Sequence, residues 1–225
     1  MIKYLKSILQ SYIALKCLLK KEKTNLENQR EMLDENYKFF SNVIKLNSKI
    51  APNSYISDNT IIHNSKVGKF CSIGPNCIIG YGNHPINRLS TSPVFYSKLK
   101  MFKTDFYQEH ANYYGTQEVK IGNDVWIGSG VFIKNGIEIG NGAIIGANST
   151  IIDNVPAYAI VVGSPGKLIK FRFSPAMIEN LEKLAWWNWS DDIINKNSFL
   201  FSIEDEAKLG LKIKDLINNN SQFNK

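Results

Sequence analysis

VKIGNDVWIGSGVFIKNGIEIGNGAIIGANSTIIDNV, residues 119–155, and VGKFCSIGPNCIIGYGN, residues 67–83, repeat on a six-residue period. Aliphatic side chains stand at Val67, Ile73 and Ile79, and again at Ile121, Ile127, Ile133, Ile139, Ile145 and Ile151. Glycine usually follows, as at Gly68, Gly74, Gly122, Gly128, Gly140 and Gly146, and small or β-branched residues come four positions after the aliphatic. An amphipathic helix needs apolar residues every three or four positions and a half-buried strand every second, so neither period fits. Six residues suit a short strand plus a turn, with one aliphatic directed into a narrow core and glycine relieving the backbone where the chain bends. Three such units make a triangular coil, and stacked coils pair in parallel and bury one another's open ends. The expected fold is a parallel β-helix over residues 49–166.

Upstream, Ile50, Ile56 and Ile62 continue the file, but the step from Ile62 to Val67 is five residues, so residues 50–66 read as an irregular first coil. The repeat vanishes in a long loop over residues 83–118, and loops of that length in compact domains tend to carry function. PAYAIVVGSPGK (156–167) is a proline- and glycine-rich exit. Beyond it, residues 167–225 are expected to be helical. Ser174 is the expected N-cap, Pro175 the first helical residue, and a further short helix is expected over 203–218. The tryptophans Trp186, Trp187 and Trp189 read as packing residues. Residues 1–48 are expected to form an N-terminal helical segment, with Leu5, Ile8, Leu9, Tyr12, Leu15 and Leu19 on one face and lysines around it. Two placements fit it: a hairpin of 2–21 with 22–46 packed on the protein, or peripheral membrane contact through residues 1–21 on an anionic surface.

Composition narrows the classes. The net charge is +7, from 27 Lys and Arg against 20 Asp and Glu, but most of the excess lies in residues 1–50. The repeat region is nearly neutral, which argues against nucleic acid as a partner. Cys17, Cys71 and Cys77 are three, and none forms a C-x-x-C pair with another, which points away from disulfides and zinc and towards a reducing, cytoplasmic compartment. The phase of Cys71 and Cys77 puts both in the core, where a thiol behaves as a small hydrophobe.

Several pieces in one order carry a resemblance: the hexapeptide array, Gly82-Asn83-His84-Pro85, Leu89-Ser90-Thr91-Ser92-Pro93, Asp124-Val125-Trp126-Ile127-Gly128-Ser129, the exit VVGSPGK and the ending AWWNW. Over residues 50–200 the chain resembles the xenobiotic-acyltransferase branch of the hexapeptide-repeat acyltransferases, which includes chloramphenicol and streptogramin acetyltransferases. The resemblance implies a left-handed β-helix, a homotrimer with active sites between subunits, and acetyl-CoA as acyl donor with no metal. The hand is worth noting because parallel crossovers are right-handed in about 98% of cases.

Acyl transfer from a thioester to a hydroxyl needs a general base with a pKa near the operating pH, and imidazole suits it. Of His63, His84 and His110, His84 stands where the loop leaves the repeats and matches the family's catalytic position. The resemblance further implies cofactor contacts at Trp126, at the backbone of Ser129 and Ala147, and at Lys167 and Lys170 for the CoA phosphates. Asn83, Ser90 and Thr91 are expected at the acceptor. The compact 50–67 segment and Pro85 point to a sugar hydroxyl, as in O-acetylation of a surface polysaccharide or glycan. Acetylation of a hydroxylated antibiotic, and N-acetylation of an amino sugar, stay open. A β-helical carbonic anhydrase would need three zinc-ligating histidines, two commonly on neighbouring turns, and the spacing 63, 84, 110 supplies no such pair. A scaffold or ice-binding solenoid would show ladders of threonine, which the repeats lack.

Overall fold

The computed structural model of the protein describes residues 37–99, 103, 106–107, 113 and 115–219. Six coils follow one another. The first carries β1 (Lys38–Phe39), β2 (Ile44–Leu46) and β3 (Lys49–Ile50), and the second β4 (Tyr55–Ile56), β5 (Ile61–His63) and β6 (Ser65–Val67). The third holds β7 (Ser72–Ile73), β8 (Ile78–Tyr81) and, beyond the long loop, β9 (Val119–Ile121). Next come β10 (Trp126–Ile127), β11 (Phe132–Lys134) and β12 (Glu138–Ile139), then β13 (Ile144–Ile145) and β14 (Thr150–Ile151), and last β15 (Ala159–Val162). Each strand pairs in parallel with its counterpart one coil away, giving sheet A (β1-β4-β7-β10-β13-β15), sheet B (β2-β5-β8-β11-β14) and sheet C (β3-β6-β9-β12). These are the three sides of a left-handed β-helix.

The aliphatic file is the core. Ile56, Ile62, Ile73, Ile79, Ile127, Ile133 and Ile145 are each 0% exposed. Full burial of such a side chain is worth roughly 1.5–3 kcal/mol, so these residues dominate the stabilisation of the solenoid.

Three expectations need correction. The solenoid begins with β1 near residue 38, not at 49, so residues 37–48 form its first coil instead of the end of a helical segment. Residues 50–66 are regular: Lys38 pairs with Tyr55 and Tyr55 with Ser72, while Ile44 pairs with Ile61 and Ile61 with Ile78. Each of these steps is 17 residues, so the five-residue interval is a repeated feature of the early coils. Residues 167–171 are a strand, β16 (Lys167–Phe171), which joins sheet A antiparallel to β15. The N-terminal helix and its membrane or hairpin placement lie outside the described residues, as do Cys17 and His110.

Glycine also plays a different part from the one expected. Gly68, Gly74, Gly122 and Gly128 are not where the backbone turns left-handed; that conformation falls three residues after most of the aliphatics, as at Asn53, Asn59, Asn76, Asp124, Gly130, Gly136, Gly142 and Asn148, while Asn64 and Gly80 take it after Ile62 and Ile79. Asparagine, aspartate and glycine tolerate this region best. The glycine just after the aliphatic is required by the next coil, whose backbone occupies the space a side chain would fill.

The C-terminal end is closed as the spacing predicts. Helix α1 (Pro175–Leu184) starts on Ser174, whose hydroxyl accepts from the Met177 amide at 3.4 Å. It is followed by α2 (Asp191–Lys196) and α3 (Glu206–Asn219). Met177, Leu181 and Ile213 pack on Tyr158 of the last coil in a second small core. Trp187 and Trp189 are buried, and the Trp186 ring lies between Phe70 and Phe201 at 4.8 and 4.9 Å.

Candidate active site

The base of the long loop is held by a clasp. The Asn83 amide donates to the Gly115 carbonyl at 2.7 Å, and the Asn83 side chain donates to Asn135 Oδ1 at 2.8 Å. Asn135, 3% exposed in the turn between β11 and β12, donates in turn to the Gly115 carbonyl. A β-carbon on Gly115 would stand 2.2 Å from the Asn83 carbonyl oxygen, so glycine is what lets the two ends of the loop meet. Asn83, expected at the acceptor, anchors the base of the loop through its amide and its side chain.

His84 follows this clasp on an exposed stretch, and Pro85 behind it is buried. Its Nδ1 lies 2.8 Å from the Thr91 carbonyl oxygen. A carbonyl can only accept, so this contact requires the proton on Nδ1 and leaves the lone pair on Nε2. That is the form of imidazole a general base needs. Thr91 thus contributes through its backbone, and the Ser90 hydroxyl accepts from the Ser92 amide at 3.1 Å, tightening the turn that brings Thr91 round. Tyr96, after a short 3₁₀ turn over Pro93–Phe95, places its hydroxyl 2.8 Å from the same Nδ1. Tyr113 packs edge-on to Tyr96 at 5.5 Å, and the Arg88 guanidinium lies over the Tyr113 ring.

The expected cofactor residues form a second group. Trp126 projects from sheet A and is 56% exposed. In register beside it run Ile144, then Ile160, then Lys170. Three steps at the usual interstrand spacing put the indole and the lysine roughly 14 Å apart along one straight line parallel to the solenoid axis. Lys167 pairs with Val162 at the turn end of the same hairpin. Ser129 and Ala147 are exposed one coil apart at the A–B corner, where the Asn148 amide donates to the Ser129 carbonyl at 2.8 Å.

The chain does not bring its two groups together. The loop carrying His84 leaves between β8 of sheet B and β9 of sheet C, the corner opposite sheet A and Trp126. Sequence reasoning found His84 but missed Asn135, Gly115 and Tyr96. Ser92-Pro93 does signal a turn, but only the folded loop shows that Tyr96 returns to the imidazole. Cys71 and Cys77 are buried, with their sulfurs 3.1 and 3.2 Å from the carbonyls of Gly122 and Gly128. Burial raises the Cys71 thiol to about 12 and the Cys77 thiol in the same direction, consistent with core residues.

Known proteins agree with this architecture. Residues 118–153 match the family model of the bacterial transferase hexapeptide (six repeats). A probable macrolide acetyltransferase of Lysinibacillus sphaericus is 41% identical over 139 residues, 61% of this chain and 76% of that protein. A chloramphenicol acetyltransferase of Klebsiella aerogenes is 41% identical over 129 residues, 55% of this chain and 59% of the relative. Among solved structures, AntD, an N-acyltransferase from Bacillus cereus in complex with dTDP-4-amino-4,6-dideoxyglucose and coenzyme A, superposes with a TM-score of 0.52 at 18% identity. It covers 75% of this chain and 78% of that one, a likeness of fold. With a close relative matched over most of its length and the repeat model falling on the solenoid's own coils, the chain belongs to the hexapeptide-repeat acyltransferases, beside the xenobiotic acetyltransferases.

Proposed function

We propose that this protein moves an acetyl group from acetyl-CoA to a hydroxyl, with His84 as the general base. The observation that carries this is the Nδ1 contact to the Thr91 carbonyl, which leaves Nε2 as a free acceptor on an exposed loop. Nε2 takes the proton of the acceptor hydroxyl as its oxygen attacks the thioester carbon. The tetrahedral intermediate then collapses, the C–S bond breaks, and the same nitrogen returns the proton to the departing CoA thiolate. Loss of a positioned base costs on the order of 10² to 10⁴ in rate. His84→Ala should therefore release CoA at least about a hundredfold more slowly with a true acceptor, and wild-type turnover by that variant would overturn the assignment.

Acetyl-CoA fits the line on sheet A. The indole of Trp126 offers an apolar surface for the pantetheine arm, and Lys170 and Lys167 offer cations for the phosphates further along. Trp126→Ala should raise KM for acetyl-CoA more than it lowers kcat. Because His84 and Trp126 lie on opposite sides of one solenoid, the reading carries with it a homotrimer in which the loop of one subunit meets sheet A of the next.

For the acceptor we favour a sugar hydroxyl, as in polysaccharide or glycan modification. The support is that the coils before the loop step by 17 residues without an insertion that could build a larger acceptor pocket. A hydroxylated antibiotic is the second reading, supported by relatives described as macrolide and chloramphenicol acetyltransferases. CoA release measured against sugars, nucleotide sugars, macrolides and chloramphenicol separates them: turnover of antibiotics alone would sink the sugar reading. The cysteine content supports a cytoplasmic enzyme, and the basic face of residues 1–21 supports attachment to the inner membrane surface. Liposome co-sedimentation of the full chain against one lacking residues 1–36 tests the attachment, with equal binding counting against it.

A further inference from the structure

We infer that Tyr96 is a positioning residue for His84, its phenol oxygen serving as a second acceptor for the Nδ1 proton beside the Thr91 carbonyl. The inference rests on His84 being the base, and deepens that reading.

The geometry runs as follows. Tyr96 Oη and the Thr91 carbonyl oxygen each lie 2.8 Å from Nδ1. Since the carbonyl cannot donate, the proton sits on nitrogen, and the phenol oxygen meets that proton with a lone pair. Tyr96 is 6% exposed, and its ring is edge-on to His84 at 6.3 Å and to Tyr113 at 5.5 Å, so the oxygen is held in place by packing on two sides. Burial, and after it the neighbouring Tyr113, push the phenol above its ordinary pKa, while Arg88 opposes them. The phenol thus stays neutral through the working range. Of the titratable and charged groups here, Tyr96 meets the imidazole itself, Tyr113 stands behind Tyr96, and Arg88 lies over the Tyr113 ring.

The consequence is a bias that grows during the reaction. Once Nε2 takes the acceptor's proton the ring is cationic, and bonds from a charged donor are roughly twice as strong as neutral ones. Two acceptors at Nδ1 then stabilise the imidazolium where a single carbonyl would do so less. They also stop the ring from flipping or exchanging tautomers between turnovers. Tyr96 thereby takes the orienting place that a carboxylate holds in a Ser-His-Asp triad, without adding a charge.

Tyr96→Phe removes one oxygen and keeps the ring. The expected result is a kcat lower by roughly tenfold with KM for acetyl-CoA unchanged. The acidic limb of kcat/KM should move to lower pH, because the imidazolium has lost an acceptor. A packing role alone would move the thermal midpoint and leave the pH limb where it is. Long-range proton–nitrogen NMR of the imidazole, assigned by its disappearance in His84→Ala, provides a readout that does not need activity. It should show the Nδ1–H tautomer in the wild-type protein and a lower titration midpoint in Tyr96→Phe. An Nε2–H tautomer in the wild-type protein overturns the inference without any variant. A Tyr96→Phe enzyme with wild-type kcat and pH limb, beside an inactive His84→Ala, overturns it while leaving the base in place. An active His84→Ala would instead remove the base, and this inference with it.

Discussion

Gly68 lies so close to Gly122 in the next coil that a β-carbon at position 68 would stand 2.5 Å from the Gly122 carbonyl oxygen. The colliding atoms are backbone in a hydrogen-bonded sheet, so neither can yield without separating the coils. Gly68→Ala is expected to cost about 2–4 kcal/mol, a fall in thermal midpoint of roughly 5–15 °C. Gly210 in α3 is the control: a β-carbon there meets only the Met177 sulfur at an ordinary 3.7 Å. Gly210→Ala should hold or raise stability by roughly 0.5–1 kcal/mol. Calorimetric midpoints that place Gly68→Ala level with Gly210→Ala would contradict the stacking account.

Asp124 and Arg172 tie the fourth coil to the hairpin that leads into the helical cap. Arg172 donates to Asp124 Oδ2 at 3.1 Å and to the Gly142 carbonyl at 2.8 Å, with its guanidinium over the rings of Tyr158 and Phe173. Burial raises the Asp124 carboxyl above its ordinary pKa, and Arg172 only partly offsets this. The neutral carboxyl therefore suits the fold better than the charged one. Its contribution is full below the unfolded pKa and declines as pH rises through the raised folded value. Asp124→Asn keeps the left-handed corner (φ 55°) and removes the charge, so it should stay within about 1 kcal/mol of wild type at pH 7. Arg172→Leu leaves the carboxylate without its cation and should cost about 1–3 kcal/mol at pH 7, but less near pH 4. A larger loss for Arg172→Leu at pH 4 than at pH 7, in chemical denaturation, would contradict this assignment.

How much of this was legible in the sequence depends on whether the physics was local. The isoleucine file declared the solenoid because one inward position per side repeats whatever the surroundings. The start of α1 could be read because Ser174 and Pro175 act on their own helix end. The first coil was hidden because its inward position at residue 45, paired with Ile62, holds a lysine whose ammonium lies 5.7 Å from the Tyr37 and Phe39 ring centroids. Such a residue closes the end of a core while breaking the apolar pattern. The left-handed corners were missed because the bend was assigned to the glycine after the aliphatic; Asn59, Asn76, Asp124 and Asn148 carry four of them, and Phe70 and Tyr158, which give no such signal, occupy two more. His84 could be picked out by its place at the loop exit. Tyr96 and Asn135 could not, since both reach the site through tertiary folding of residues 12 and 52 positions away from their partners.

The core cysteines offer a test of the solenoid interior. With its thiol raised from 9.0 to about 12, Cys71 favours the protonated form inside the fold. That contribution is complete below the unfolded thiol pKa and is lost as pH rises towards 12. Thermal midpoints of the wild-type protein should therefore fall more steeply between pH 9 and 11 than those of Cys71→Ala, whatever the offset between the two at neutral pH. In a Cys17→Ser background, a thiol reagent such as iodoacetamide should modify neither Cys71 nor Cys77 until denaturant is added. Prompt labelling of the folded protein at pH 8 would show that the third coil opens readily.

The separation of His84 from Trp126 leads to a prediction that single-variant kinetics cannot make. The loop exit and the exposed face of sheet A are on opposite sides of one solenoid, so the proposed function requires a site that takes the imidazole from one subunit and the indole from another. His84→Ala and Trp126→Ala, each alone, spoil every site in an assembly. Co-expressed with different affinity tags and purified through both, they form mixed assemblies in which some junctions join an intact His84 to an intact Trp126. Those assemblies should regain a measurable fraction of wild-type kcat/KM for acetyl-CoA, well above the mean of the two parents. If both residues served the same site from one chain, no junction would be intact, and the doubly purified material would be no more active than the parents. The double variant in one chain, mixed with wild type, is the matching control, because it contributes no new pairing of the two side chains. Recovery in the first mixture beyond the parental mean, with the second scaling only with its wild-type content, identifies the shared site; parental activity in the first excludes it.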